Sequence, residues 1–183
     1  MLLAALILAF WTFPAAGVQE RPRHARNNEF NRALGVECSH CHVPDQWRDA
    51  TKPAFAIANN MTKMVDEINE QLADMGFVTC VTCHGGQVKP ARQPANVFNA
   101  RFAEWPAELA DAAETQKITM TAYSVALGVE CSHCHSRDWK AREKDPIRTV
   151  AMMTPLFDVF PKYMPEGART QCYMCHKGST LPQ

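Results

Sequence analysis

Apolar residues recur at helical spacing in two stretches of the chain. Between Ala54 and Leu72, the residues Ile57, Met61, Met64, Val65 and Ile68 fall on one stripe, the signature of an amphipathic helix with one face turned to a core. Val150, Met153, Phe157 and Phe160 form a similar stripe nearer the C-terminus. Pro53 and Pro146 stand at the head of the two stretches, where a first-turn proline is tolerated because its missing N–H has no helical partner to lose. No segment alternates polar and apolar residues for long enough to build a sheet, and the segments around the cysteines read as short turns and loops. The pattern predicts a mostly α fold with much irregular chain. It also offers too little apolar helix for a self-sufficient core, so apolar mass from a bound group is expected.

Met1–Gly17 (MLLAALILAFWTFPAAG) is apolar and carries no charged side chain. It is shorter than the ~18–20 apolar residues that span a bilayer comfortably, and Ala15-Ala16-Gly17 supplies small residues of the kind a signal peptidase requires. The segment is expected to be a cleaved signal peptide or a retained membrane anchor, and either role implies export.

The chain repeats itself. Ala33–His42 and Ala126–His135 both read ALGVECSHCH, 93 residues apart, and VTCVTCHGG (78–86) corresponds to TQCYMCHKG (170–178). Trp47 pairs with Trp139 and Pro53 with Pro146. A tandem duplication follows, with residues 18–88 as the first half, 89–106 as a linker holding three prolines, and 107–183 as the second half.

All eight cysteines fall in four C-x-x-C-H boxes: Cys38-Cys41-His42, Cys80-Cys83-His84, Cys131-Cys134-His135 and Cys172-Cys175-His176. This spacing is the attachment signature of c-type haem. Two thiols three residues apart reach the two vinyl groups of one porphyrin, and the histidine that follows becomes the proximal iron ligand. Zinc sites and disulfides also use paired cysteines, but neither requires a histidine at the very next position. Four covalently bound haem c groups are therefore expected, with no cysteine left for a lipid, a disulfide or a nucleophile. Lys plus Arg and Asp plus Glu are 19 each, a balance that lacks the basic footprint of a nucleic-acid binder but allows local patches that dock a protein.

The second axial ligand decides what each haem does, since methionine raises the potential relative to histidine and an open position favours ligand chemistry. Only His24, His40 and His133 lie outside the proximal positions. His40 and His133 sit inside the boxes, beside their own rings, so histidine at all four distal positions is impossible within one chain. Among nine methionines, Met64, Met152, Met164 and Met174 read as core filler. Met61 and Met153 occupy equivalent repeat positions, each followed by Thr and each 19 residues before a box cysteine, which marks both as distal ligands. Met120 lies 11 residues before Cys131, on a segment able to fold back over the ring. The Cys38/Cys41 haem breaks the pattern, because no methionine occurs from Val18 to Glu37. Its candidates are His24, a ligand from another loop or subunit, or an open site.

With LGVECSHCH twice, ANNMTKMVDEIN followed by VTCVTCHGG, and DVFPKYM ending in CYMCHKG, the chain from about Asn27 onward resembles the tetrahaem cytochrome subunit of purple-bacterial photosynthetic reaction centres, or a close relative of that domain. The resemblance places the first methionine of the M-x-x-M-x-x-x-I-N segment, Met61, and the methionine before the third box, Met120, as axial ligands. It implies a multihaem cytochrome c of two pseudo-symmetric dihaem halves, not an enzyme, on the periplasmic side of the inner membrane. Its partners would be membrane-embedded reaction-centre subunits and a soluble donor such as a small cytochrome c, and its task would be re-reducing the photo-oxidised chlorophyll pair. The chain departs from the family in its shortness, in lacking a lipid-bearing cysteine, and in LADMGFVTC, where the family supplies a histidine to the fourth haem. Met153 takes that place here. A general periplasmic electron carrier, or the haem subunit of a respiratory complex, is the alternative.

Overall fold

The computed structural model describes residues 23–103, 112–136 and 142–182. Met1–Gly17 and Trp139 lie outside them. The described residues are mostly helical with no strand, apart from one isolated bridge between Val43 and Gln46. The helices are α1 (Arg23–Leu34), α2 (Pro53–Leu72), α3 (Cys80–His84), α4 (Ala95–Ala103), α5 (Glu114–Leu127), α6 (Cys131–Cys134), α7 (Asp145–Met153), α8 (Phe160–Tyr163) and α9 (Tyr173–His176).

Helix α2 forms where the apolar stripe predicts it and opens on Pro53 after an extended Lys52. Met64, Ile68 and Leu72, four residues apart, are its buried face. They pack with the fully buried Val159, and Met61, Met153, Leu156, Phe160, Tyr163 and Met164 close around them. Burying an aliphatic side chain of this size contributes roughly 1.5–3 kcal/mol. The stripe does not extend to the start of the helix. Ile57 is half exposed, because the element that covers α2 is the one-turn helix α8, which meets it near Glu67.

The second apolar stretch is interrupted. Helix α7 ends at Met153, a 3-10 turn spans Thr154–Asp158, and α8 follows. Pro155 is the cause, since it has no N–H to donate and its ring crowds the carbonyl four residues back. Phe157 and Phe160 thus sit beyond the break and meet edge to face at 5.9 Å. Met152, expected as core filler, is half exposed, because α7 turns that position outward at its end. The expected linker carries helix α4, packed on α5.

Two matching clasps organise the chain. The Gly86 N–H donates to the Ala33 carbonyl at 2.8 Å, and the Gly178 N–H donates to the Ala126 carbonyl at 2.8 Å. Each ties the end of the helix before one box (α1 or α5) to the turn after another (α3 or α9). Ala33 and Ala126 are buried to 0% and 1% exposure, so nothing larger fits. Gly35 and Gly128 then reverse the chain at φ +63 and +65, and a Cβ on either would lie 2.2 or 2.1 Å from the opposing Gly86 or Gly178 oxygen. The repeated Ala-Leu-Gly is the half of the clasp that lies in the duplicated decapeptide.

The two copies of the repeat meet along α2 with α8 and α3 with α9. Glu67 on α2 receives hydrogen bonds from the Lys162 ammonium and from the Tyr163 hydroxyl, the latter at 2.7 Å. These donors hold the Glu67 carboxyl below its ordinary range, Lys162 first and Tyr163 second, and the carboxylate in turn raises Lys162 and Tyr163.

Gly35→Ala and Gly128→Ala each combine a left-handed backbone with a clash against a carbonyl oxygen. Each is expected to destabilise the fold by about 2–4 kcal/mol, read as a drop in thermal midpoint, whereas Gly76→Ala, whose Cβ would meet nothing within 4 Å, costs less. Glu67 contributes stability above the ordinary carboxylate pKa and loses it as pH falls through its depressed folded value. Lys162 contributes below the ordinary lysine range and loses that contribution as pH rises through its elevated folded value. Glu67→Gln is therefore expected to lower the melting midpoint at neutral pH, and the gap to the parent closes in acid below about pH 4 and narrows in high salt.

Candidate haem-attachment site

Each C-x-x-C-H box is wound into a helical turn. Cys38–His40 is a 3-10 turn, α3 and α6 begin at the first box cysteine, and α9 follows Cys172 as its N-cap. The box histidine closes the turn by donating its N–H to the carbonyl of the first cysteine, at 3.0 Å for His42, 2.9 Å for His135 and 3.0 Å for His176. Residues three and four apart on a turn share a face, so both thiols and the imidazole project together. That is the arrangement one porphyrin requires. All eight thiols are free. Among the described residues no three His, Cys, Asp or Glu side chains converge as metal ligands.

The imidazoles are oriented alike. The Nδ1 of His42 lies 3.0 Å from the Trp47 carbonyl, that of His84 3.0 Å from the Gln87 carbonyl, and that of His176 3.0 Å from the Ser179 carbonyl. A carbonyl only accepts, so Nδ1 carries the proton and Nε2 keeps its lone pair for a metal. His42 is further held edge-on by Trp47 and Phe55 at 5.9 and 5.4 Å. Burial lowers the His176 pKa, partly offset by its backbone hydrogen bonds, and keeps the ring neutral as ligation needs. The buried Nδ1 of His135 has no hydrogen-bond partner in the described structure.

A cleft open to solvent at its mouth lies beside the third box. Met120, Tyr123, Cys131, Cys134, His135, Ile147 and Val150 line it. A mostly apolar lining that presents two thiols, an imidazole and a thioether is the donor set of a haem c site with histidine and methionine axial ligands. The residues present fit the group.

The second and fourth boxes lie back to back. The Cys83 and Cys175 thiols share a hydrogen bond, which lowers the Cys83 pKa and, with burial, raises that of Cys175. Cys80 is pushed up to about 11 by burial, with the Glu29 charge adding to it. Lysines bracket the boxes. Lys52 reaches the Ser39 carbonyl, Lys144 reaches the Ser132 carbonyl at 2.6 Å, and Lys177 reaches the Thr82 carbonyl at 3.0 Å. The first two satisfy carbonyls that a one-turn helix leaves open.

Of the methionines expected as axial ligands, the structure brings Met120 together with Cys131, Cys134 and His135. Met61 and Met153 are both half-buried against the Val159 cluster, alongside Met64 and Met164. His24 is in the first turn of α1, and its side chain lies outside what the structure describes. Sequence reasoning overlooked Asn69, whose side chain accepts from the Val78 N–H at 2.7 Å and donates to the Val78 carbonyl at 3.0 Å, pinning the strand-like approach to the second box. It also overlooked the glycines of the clasp and Lys177, although Gly-Gly after one box and Lys-Gly after its counterpart was a visible asymmetry.

No described helix is long and apolar enough to cross a membrane. No match is found among curated proteins. The family model described as the photosynthetic reaction centre cytochrome C subunit, an electron-transfer cytochrome carrying haem c, matches residues 33–112, and the resemblance read from the sequence holds over that stretch.

Proposed function

We propose that this chain is a four-haem cytochrome c that re-reduces the photo-oxidised chlorophyll pair of a reaction centre. The observation that carries the reading is the contact between the second and fourth boxes at Cys83 and Cys175, continued outward by α1 against α3 and α5 against α9. These contacts support a single file of boxes, in the order first, second, fourth, third, over four separate pockets. Haem c bound there supplies one-electron chemistry at iron. The chain's own residues hold and tune it: box cysteines anchor, His42, His84, His135 and His176 present Nε2, and backbone carbonyls keep Nδ1 protonated at His42, His84 and His176.

Met61, Met120 and Met153 serve as the second axial ligands, with His24 for the first box. The chain is organised as two pseudo-symmetric dihaem halves, 18–88 and 107–183, joined by 89–106. It works on the periplasmic side of the inner membrane, against membrane-embedded reaction-centre subunits and a soluble donor such as a small cytochrome c, with residues 1–17 as signal peptide or anchor. Among the described residues no cluster of His, Cys, Asp or Glu gathers around a box, which favours this over a catalytic role.

The direct test is flash-induced oxidation of the chlorophyll pair in membranes lacking this chain. Fast re-reduction is expected to disappear and to return when the chain is restored. Unchanged kinetics, together with co-purification of respiratory subunits, would contradict the proposal. At the third box, Met120→Ala is expected to lower the potential of one haem and remove part of the weak far-red methionine–iron absorption, with Met64→Ala leaving that band intact.

A further inference from the structure

The duplicated boxes differ at one backbone position where difference is costly. After the second box the chain reads His84-Gly85-Gly86, and after the fourth His176-Lys177-Gly178. Both Gly85 and Lys177 adopt left-handed backbone, at φ +56 and +50. Glycine does this freely, whereas a side chain with a Cβ is strained there. Strain of this kind persists where the surrounding structure holds it in place, and it concentrates at functional positions.

The reason for the strain is visible across the contact between the copies. From its left-handed position Lys177 crosses to the other copy and donates to the Thr82 carbonyl, inside the second box between Cys80 and Cys83, at 3.0 Å. It passes directly over Gly85, where a Cβ would lie 3.0 Å from the Lys177 Nζ. The two equivalent positions thus face one another, and glycine in one copy leaves the space that lysine from the other fills. One ammonium is placed between the second and fourth boxes, one residue beyond His176 and against the loop of Cys80 and Cys83. Lys52 and Lys144 do not share this arrangement, since each turns back on the box of its own copy.

We infer that Lys177 is a positioning residue that sets the reduction potentials at the centre of the haem file, its single positive charge favouring the reduced form at both the second and the fourth box. A fixed cation near a redox centre destabilises the more positive, oxidised state, and the effect is large where water is partly excluded. The same hydrogen bond latches the two copies together, and the number of haem potentials that move distinguishes the charge from the latch. The inference rests on haem occupying the boxes as proposed above.

The experiment is a spectroelectrochemical titration of the haem-loaded protein and of Lys177→Met, Lys177→Gly and Lys177→Arg. Lys177→Gly restores the sequence of the other copy and relieves the left-handed strain, so it tests charge in a backbone that is at ease. A pyridine haemochrome count of four in the parent establishes the loading. A lower count would overturn the four-haem reading itself, independently of any shift. With loading in place, Lys177→Met and Lys177→Gly are expected to move one or two of the four waves to lower potential and leave the others unmoved, while Lys177→Arg keeps the parent values. No shift in either neutral variant, or a shift spread over three or four waves, would overturn the inference, because a merely structural latch predicts one of those results.

Discussion

The Gly86 N–H donates to the carbonyl of Ala33, and the Gly178 N–H donates to that of Ala126. These two hydrogen bonds join segments more than fifty residues apart, and each is enclosed where a buried alanine and a glycine of positive φ leave no room for a side chain. A buried carbonyl left without its partner costs about 1–3 kcal/mol, so the clasp either forms fully or the helix end and the turn separate. Everything that positions the boxes follows from it. The clasp sets the helix before the first box against the second box and the helix before the third against the fourth, and α3 packs on α9.

Given that frame, the chemistry of each box is local. A helical turn brings two thiols and an imidazole to one face, and at His42, His84 and His176 a backbone carbonyl a few residues on fixes the imidazole tautomer. The apolar core is correspondingly small: the cluster around Val159 is built from four buried residues, and Trp47 and Phe77 stand largely exposed. A chain that buries so little of its own apolar surface fits the role of a scaffold around large apolar cofactors. The one strained lysine, Lys177, lies where the two copies touch and not at their outer edges. Charge there acts on neighbouring boxes together.

The parts of this architecture that depend on short-range spacing were legible in the sequence. Four C-x-x-C-H boxes, the duplication, helix α2 with Pro53 at its head, and the predominance of helix needed only local patterns. Met120 beside the third box was also within reach, because the span to Cys131 is short and helical. The clasp was hidden although both of its strands were in plain view, since pairing Ala33 with Gly86 needs knowledge of a distant contact. Ile57 and Met152 were misjudged because periodicity marks an apolar face without saying how far a partner extends along it, and α8 is only one turn long. Pro155 explains why a stripe that looked continuous from Val150 to Phe160 is broken, and α4 shows that a proline-bearing linker can hold a helix between its prolines.

Every box is proposed to be a haem-attachment turn that carries its own haem. Intact-protein mass spectrometry of the purified chain, after acid–acetone extraction to remove any group not held by thioethers, measures this most directly. A mass equal to the polypeptide plus four haems is the predicted result. A homogeneous species with three haems or fewer would contradict the claim and identify a box whose turn, despite its sequence, does not hold the group.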